Sequence, residues 1–86
     1  MTRRVTLLTT LDCELCEHAR ATLDRIAGEL DLHVDVLDVN SEPGRTAARR
    51  AGIVFPPGVL IDGEPFSYGR LSERKLRRAL ARPLSL

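Results

Sequence analysis

Apolar positions along this chain follow two alternating rhythms. From Arg4 to Thr9, Val5, Leu7 and Leu8 lie among threonines in a short, β-branched-rich run, the pattern of a buried strand. After Asp12 the interval lengthens: Leu15, Ala19, Leu23, Ile26 and Leu30 recur at helical spacing and make one apolar stripe. Asp12 stands where an N-cap is needed, and Glu14 and Glu17 occupy the first turns, where the helix dipole favours acids. Gly28 loosens the end of that helix. His33 to Val39 returns to a strand pattern, with Val34, Val36 and Val39 among aspartates. Ser41 and Pro43 then open a short second helix, which Gly52 can close in a left-handed cap.

The second half begins with the apolar triplet Val59-Leu60-Ile61, followed by Asp62-Gly63 and Phe66. Asp-Gly between apolar runs is a strong tight-hairpin signal, so the last two strands are expected to be antiparallel. The first two, joined through a helix, are expected to be parallel with a right-handed crossover. Ser72 caps a final helix, with Leu71 and Leu76 placed as a hydrophobic staple around it. Leu76, Ala79 and Leu80 supply its buried stripe and Pro83 ends it. The order is βαβαββα: one α/β domain over residues 1–86, a four-stranded mixed sheet flanked by three helices.

A length of 86 residues leaves room for one core. With Phe55, Phe66 and Tyr68 as the only aromatics and no Trp, that core must be mostly aliphatic. The amino-terminal apolar residues are broken by threonines, unlike a signal peptide, and no stretch has the length of a membrane span. A cytoplasmic protein without membrane contact is therefore expected. In that reducing compartment two cysteines point to chemistry or metal more readily than to a structural bridge.

The formal net charge of +1 averages two unlike halves. Asp12 to Glu42 holds nine acids against two bases, and Pro43 to the end nine bases against three acids. Such asymmetry can mark a nucleic-acid partner. With so few aromatics for base stacking and no nucleic-acid motif, none is expected. The plainer reading is that the two halves sit against each other or are solvated.

Both cysteines fall in Cys13-Glu14-Leu15-Cys16, directly after a strand and at a helix start inside a βαβ unit. Free N–H groups and the positive dipole end stabilise a thiolate at Cys13, and the thiolate is the nucleophile. Cys16, one turn further in, can close a disulfide with it: the first sulfur attacks a substrate disulfide and the second resolves the mixed disulfide. Two inert buried cysteines are one alternative. A purely structural bridge would close a very short loop and gain little from chain entropy. A zinc site would need about four ligands, and His18 and His33 do not match a finger or ribbon spacing.

The chain resembles a small glutaredoxin-like member of the thioredoxin superfamily over nearly its full length. The matching pieces are the strand that runs into Cys13-Glu14-Leu15-Cys16, the stretch from Ala51 to Gly63 with Pro56-Pro57, and Gly69-Arg70-Leu71-Ser72 before the last helix. The resemblance implies a thioredoxin-like, glutaredoxin-type fold and a thiol–disulfide oxidoreductase, with Cys13 as nucleophile and Cys16 as resolving thiol. It also implies a cis proline at Pro57, before the third strand and facing the cysteines. Pro56, Pro57, Gly69 and Ser72 would then border the substrate. No bound cofactor is implied; a low-molecular-weight thiol or a reductase would supply electrons. The expected partners are a disulfide-containing protein or small-thiol substrate and such a reductase, and a monomer is expected.

Several residues depart from that pattern. In the family, the residue before the cis proline offers its backbone N–H and C=O to substrate, but Pro56 has no N–H to give. The tyrosine common between the two cysteines is replaced by Glu14-Leu15, and the paired glycine of glutathione-using members by Tyr68-Gly69. Asp12, Glu14 and Glu17 surround the thiol with acid, which disfavours the thiolate. Asp12 and Glu14 would thereby raise the Cys13 pKa and make the couple more reducing than the glutaredoxin range of about −200 mV. These departures point away from an ordinary glutathione-dependent enzyme. A protein-specific electron carrier fits them as well. The alternative from another class is a non-catalytic thioredoxin-fold binding module, one form of which holds metal between two chains through Cys13 and Cys16.

Overall fold

The computed structural model describes residues 2–81. Strand β1 (Arg3–Thr9) leads into helix α1 (Glu14–Ala27), then β2 (Leu32–Asp38) and α2 (Glu42–Ala51). Strands β3 (Gly58–Ile61) and β4 (Glu64–Tyr68) follow, and α3 (Glu73–Ala81) completes the order. One sheet of order β2-β1-β3-β4 carries the helices, with β1 parallel to β2 and antiparallel to β3, and β3 antiparallel to β4. This is the thioredoxin-like fold expected from the sequence.

The core is aliphatic. Val5 and Leu7 of β1 and Val59 and Ile61 of β3 point to the face covered by Ala19, Leu23 and Ile26 of α1 and Leu76 and Leu80 of α3. Alternation along the strands sends Leu8 and Leu60 to the other face, where they are also buried. Leu71 and Leu76 both join the core, so the staple around α3 forms. Ser72 accepts the Lys75 N–H at 3.3 Å, capping that helix as expected. Pro83, read as the end of α3, lies outside the described residues.

Turn chemistry fixes the connections. Asp62 and Gly63 both adopt positive φ, 50° and 85°, as a primed two-residue hairpin turn requires. Ser41 caps α2 by accepting the Gly44 N–H at 3.1 Å, Pro43 lies in its first turn, and Gly52 ends it in the left-handed region. Gly44 has a packing reason as well. A Cβ there would stand 1.9 Å from the carbonyl oxygen of Asp38, so only glycine lets α2 start this close to the end of β2.

Three expectations need correction. Asp12 does not cap α1: its φ is 52°, and the cap position, with extended backbone, is Cys13. The left-handed turn at Asp12 comes between β1 and α1, one residue before the cap. Leu30 lies beyond α1 and is exposed, because the helix ends at Gly28; the buried stripe is instead completed by Cys16 and Thr22. The second strand starts at Leu32 and ends at Asp38, and Val39 only continues the ladder through a bond to the Thr9 carbonyl.

Among the described residues one ion pair, Arg77–Glu29, joins a base of the basic half to an acid of the acidic half. Arg77 of α3 binds Glu29 at 2.7 Å and Glu73 at 3.0 Å, and Arg25 of α1 pairs with Glu73. Arg3 reaches Asp62 at 2.6 Å, and Arg4 reaches Asp35 at 2.8 Å. Most charges of both halves are exposed, in keeping with the solvated reading. Among the described residues no helix is long and apolar enough to cross a membrane.

Candidate functional site

Register brings three separate segments to one end of the sheet. Leu8 of β1 pairs with Gly58 of β3, and Gly58 pairs with Tyr68 of β4. The residues just beyond that rung are the β1–α1 turn with Cys13, the Pro56-Pro57 loop, and Gly69. A hydrogen bond from the Gly69 N–H to the Pro57 carbonyl, 2.8 Å, extends the ladder one step past β4. Cys13, Cys16, Pro56, Pro57 and Gly69 thus share this end, while the Ser72 hydroxyl is engaged in the cap of α3.

The two sulfurs lie at disulfide distance, with their Cα atoms 5.2 Å apart. Cys13 is half-buried and Cys16 only 3% exposed, so a partner can approach the first sulfur and not the second. Cys13 Sγ accepts the backbone N–H of Cys16 at 3.1 Å. Sulfur here takes the place that a serine or threonine oxygen takes in an ordinary N-cap, receiving the N–H of the third helical residue. The same bond would hold a thiolate on Cys13 once the disulfide opens. The sequence signal for this cap is the cysteine spacing itself: N-cap and third helical residue are three apart.

The Pro56–Pro57 peptide bond is cis, as expected from register. Pro57 is fully buried and Pro56 half-buried. Gly69 has φ 80°, and a Cβ on it would stand 3.2 Å from the Phe55 ring. Phe55 in turn meets Tyr68 edge to face, ring centroids 5.1 Å apart. Val54, Phe55 and Tyr68 are exposed beside the proline loop, and Leu11 is 83% exposed on the turn into α1. The sequence gives Leu11, Val54 and Phe55 no role at the site and Tyr68 only a place beside Gly69; exposed apolar residues at loop positions carry no periodic signal.

Asp12, Glu14 and Glu17 are all exposed, and among the described residues none has an ion-pair partner. The next charges along α1, Arg20 and Asp24, pair with each other at 3.3 Å. Among the described residues no three His, Cys, Asp or Glu side chains gather as a metal-ligand set.

The model of the Glutaredoxin-like domain (DUF836) matches residues 4–81. The chain belongs to this glutaredoxin-like family. That span runs from the first strand through all three helices and includes both cysteines and the cis proline. Two uncharacterized proteins, Rv0508 of Mycobacterium tuberculosis and Mb0520 of Mycobacterium bovis, are each 31% identical over 81 residues. The alignment takes in 92% of this chain and 84% of each of them. Among solved structures, a mutant thioredoxin from Halobacterium salinarum superposes with a TM-score of 0.72 at 20% identity, covering 90% of this chain and 70% of its own. At that identity the likeness establishes the glutaredoxin-like protein's thioredoxin fold and nothing finer.

Proposed function

We propose that this glutaredoxin-like protein is a thiol–disulfide oxidoreductase that reduces disulfides through Cys13 and Cys16. The observation that carries the reading is the asymmetry of the pair: an accessible sulfur on a helix N-cap, hydrogen-bonded by the backbone N–H of the buried one. In the reduced protein, the Cys13 thiolate attacks one sulfur of a substrate disulfide. A new bond forms between Cys13 and that sulfur, and the other substrate sulfur leaves as a thiolate that takes a proton from solvent. Cys16, losing its proton, then attacks Cys13 Sγ, forms the Cys13–Cys16 disulfide and releases the second substrate thiol. Two electrons pass from the dithiol to the substrate.

A low-molecular-weight thiol or a reductase restores the dithiol by the reverse exchange, so no bound cofactor takes part. Pro57 shapes the wall against which the substrate chain lies, and Pro56 and Gly69 border it. Pro56 supplies only its carbonyl, and that loss, with the uncompensated acids around Cys13, favours protein disulfides over glutathione. The chemistry suits a compartment that keeps thiols reduced, and a monomer is sufficient for it.

The test is reduction of insulin with thioredoxin reductase, run beside reduction of hydroxyethyl disulfide with glutathione and glutathione reductase. Turnover in at least one assay, abolished by Cys13→Ser, is expected. Activity that survives Cys13→Ser in every assay contradicts the reading.

A further inference from the structure

On the flank of the disulfide away from the proline loop, a groove of about 490 Å³ runs between α1 and the outer strand β2, and Cys13 and Cys16 are both in its lining. Its floor is apolar: Leu7 of β1, Ala21 of α1 and Val36 of β2. Val36 lies exposed on an edge strand, and Leu11 stands at the mouth. The rim is charged. Arg20 and Asp24 neutralise each other there, so Asp12 and Glu17 are the rim charges with no counter-ion among the described residues. Arg70, which follows Gly69 on the other flank, is not part of the lining.

We propose that this groove seats the stretch of a protein substrate next to the cysteine that Cys13 attacks, and that it selects an apolar side chain flanked by Lys or Arg. The inference rests on the oxidoreductase reading and adds a substrate class to it. An apolar floor takes a leucine-sized side chain out of water. Two unpaired carboxylates above it attract a neighbouring cation and repel an anion, which affects encounter rates most. Because Cys13 is part of the groove's lining, a segment seated in it lies beside the reacting residue.

The experiment measures how fast the reduced protein reacts with two peptides, Arg-Leu-Cys-Leu-Arg and Glu-Leu-Cys-Leu-Glu. Each is presented as a mixed disulfide with 2-mercaptoethanol, beside hydroxyethyl disulfide as a neutral reference. At low ionic strength the arginine peptide should react about tenfold faster than the glutamate peptide, and added salt should shrink the ratio. Asp12→Asn with Glu17→Gln should bring it to about two, whereas Glu64→Gln, on the distant hairpin, should leave it in place. A third peptide, Arg-Gly-Cys-Gly-Arg, should react more slowly than Arg-Leu-Cys-Leu-Arg, and Val36→Lys should erase both that advantage of leucine and the arginine preference; equal rates for the two arginine peptides in wild type overturn the apolar half of the proposal. A wild-type ratio near one, or a ratio untouched by the double neutralisation, overturns the proposal while the redox reading stands. If hydroxyethyl disulfide and both peptides all fail to react, the oxidoreductase reading itself fails and the groove's role falls with it.

Discussion

Gly69 donates its backbone N–H to the carbonyl of Pro57 across 2.8 Å, and with φ at 80° it does so in a conformation that favours glycine. This one bond joins the loop before α3 to the proline loop, at the end of the sheet that also carries the cysteines. Gly69→Ala adds left-handed strain of about 1–2 kcal/mol and a Cβ against the Phe55 ring. The expected outcome is a lower unfolding temperature together with a several-fold loss of disulfide reduction. A stability loss without any change in activity would show that the loop does not position the substrate wall.

Pro56 is the residue whose missing N–H separates this site from the family pattern. Pro56→Ala restores a donor, and a single hydrogen bond contributes about 0.5–1.5 kcal/mol. Reduction of a peptide disulfide should therefore rise about two- to tenfold in Pro56→Ala, read as kcat/KM. An unchanged or lower value would mean that substrate does not pair with this segment.

The uncompensated acids bear on the redox couple. Negative charge beside Cys13 destabilises the thiolate, which leaves the disulfide favoured and the couple more reducing. Neutralising Asp12 and Glu14 together (Asp12→Asn, Glu14→Gln) should raise the potential. For two exposed, screened charges the effect is about 1 kcal/mol, or about 20 mV. Redox titration against a glutathione buffer gives the sign; a fall in potential contradicts the electrostatic account.

Far from the site, Asp62 holds the start of β1. Its carboxylate accepts the Arg4 backbone N–H at 3.0 Å and pairs with Arg3, and these bonds hold its pKa below the ordinary carboxylate value. A pKa depressed by folding contributes stability above the unfolded value, and that contribution is lost as pH falls through the folded one. Asp62→Asn keeps a good hairpin residue before Gly63 and removes only the charge. Its stability deficit relative to wild type should be largest at neutral pH and vanish in strong acid. A deficit constant across pH, measured by urea unfolding, contradicts this.

Much of this was legible in the residues because local chemistry and global fold agree. Periodicity located β1, α1, β2 and α3, Asp62-Gly63 announced the hairpin of β3 and β4, and Ser41, Gly52 and Ser72 marked helix ends that the structure confirms. Asp12 misled because capping preferences rank aspartate high and do not include cysteine. The backbone, turning left-handed at Asp12, put sulfur in the cap instead. The groove beside α1 was illegible for another reason. Val36, Ala21 and Leu11 belong to a strand, a helix and a turn, and only the crossover from β1 to β2 brings them to one cavity. Gly44 likewise became meaningful only when Asp38 was found against it.

That Cys13 attacks and Cys16 resolves is tested most directly by covalent trapping. Reduced Cys16→Ser is mixed with hydroxyethyl disulfide and its intact mass is measured, beside Cys13→Ser and wild type. A persistent mixed disulfide on Cys13 is expected in Cys16→Ser and none in Cys13→Ser, where the remaining sulfur is buried. Wild type should pass through the adduct to the internal disulfide. A stable adduct on Cys16 in Cys13→Ser, or no adduct in Cys16→Ser, would contradict these roles.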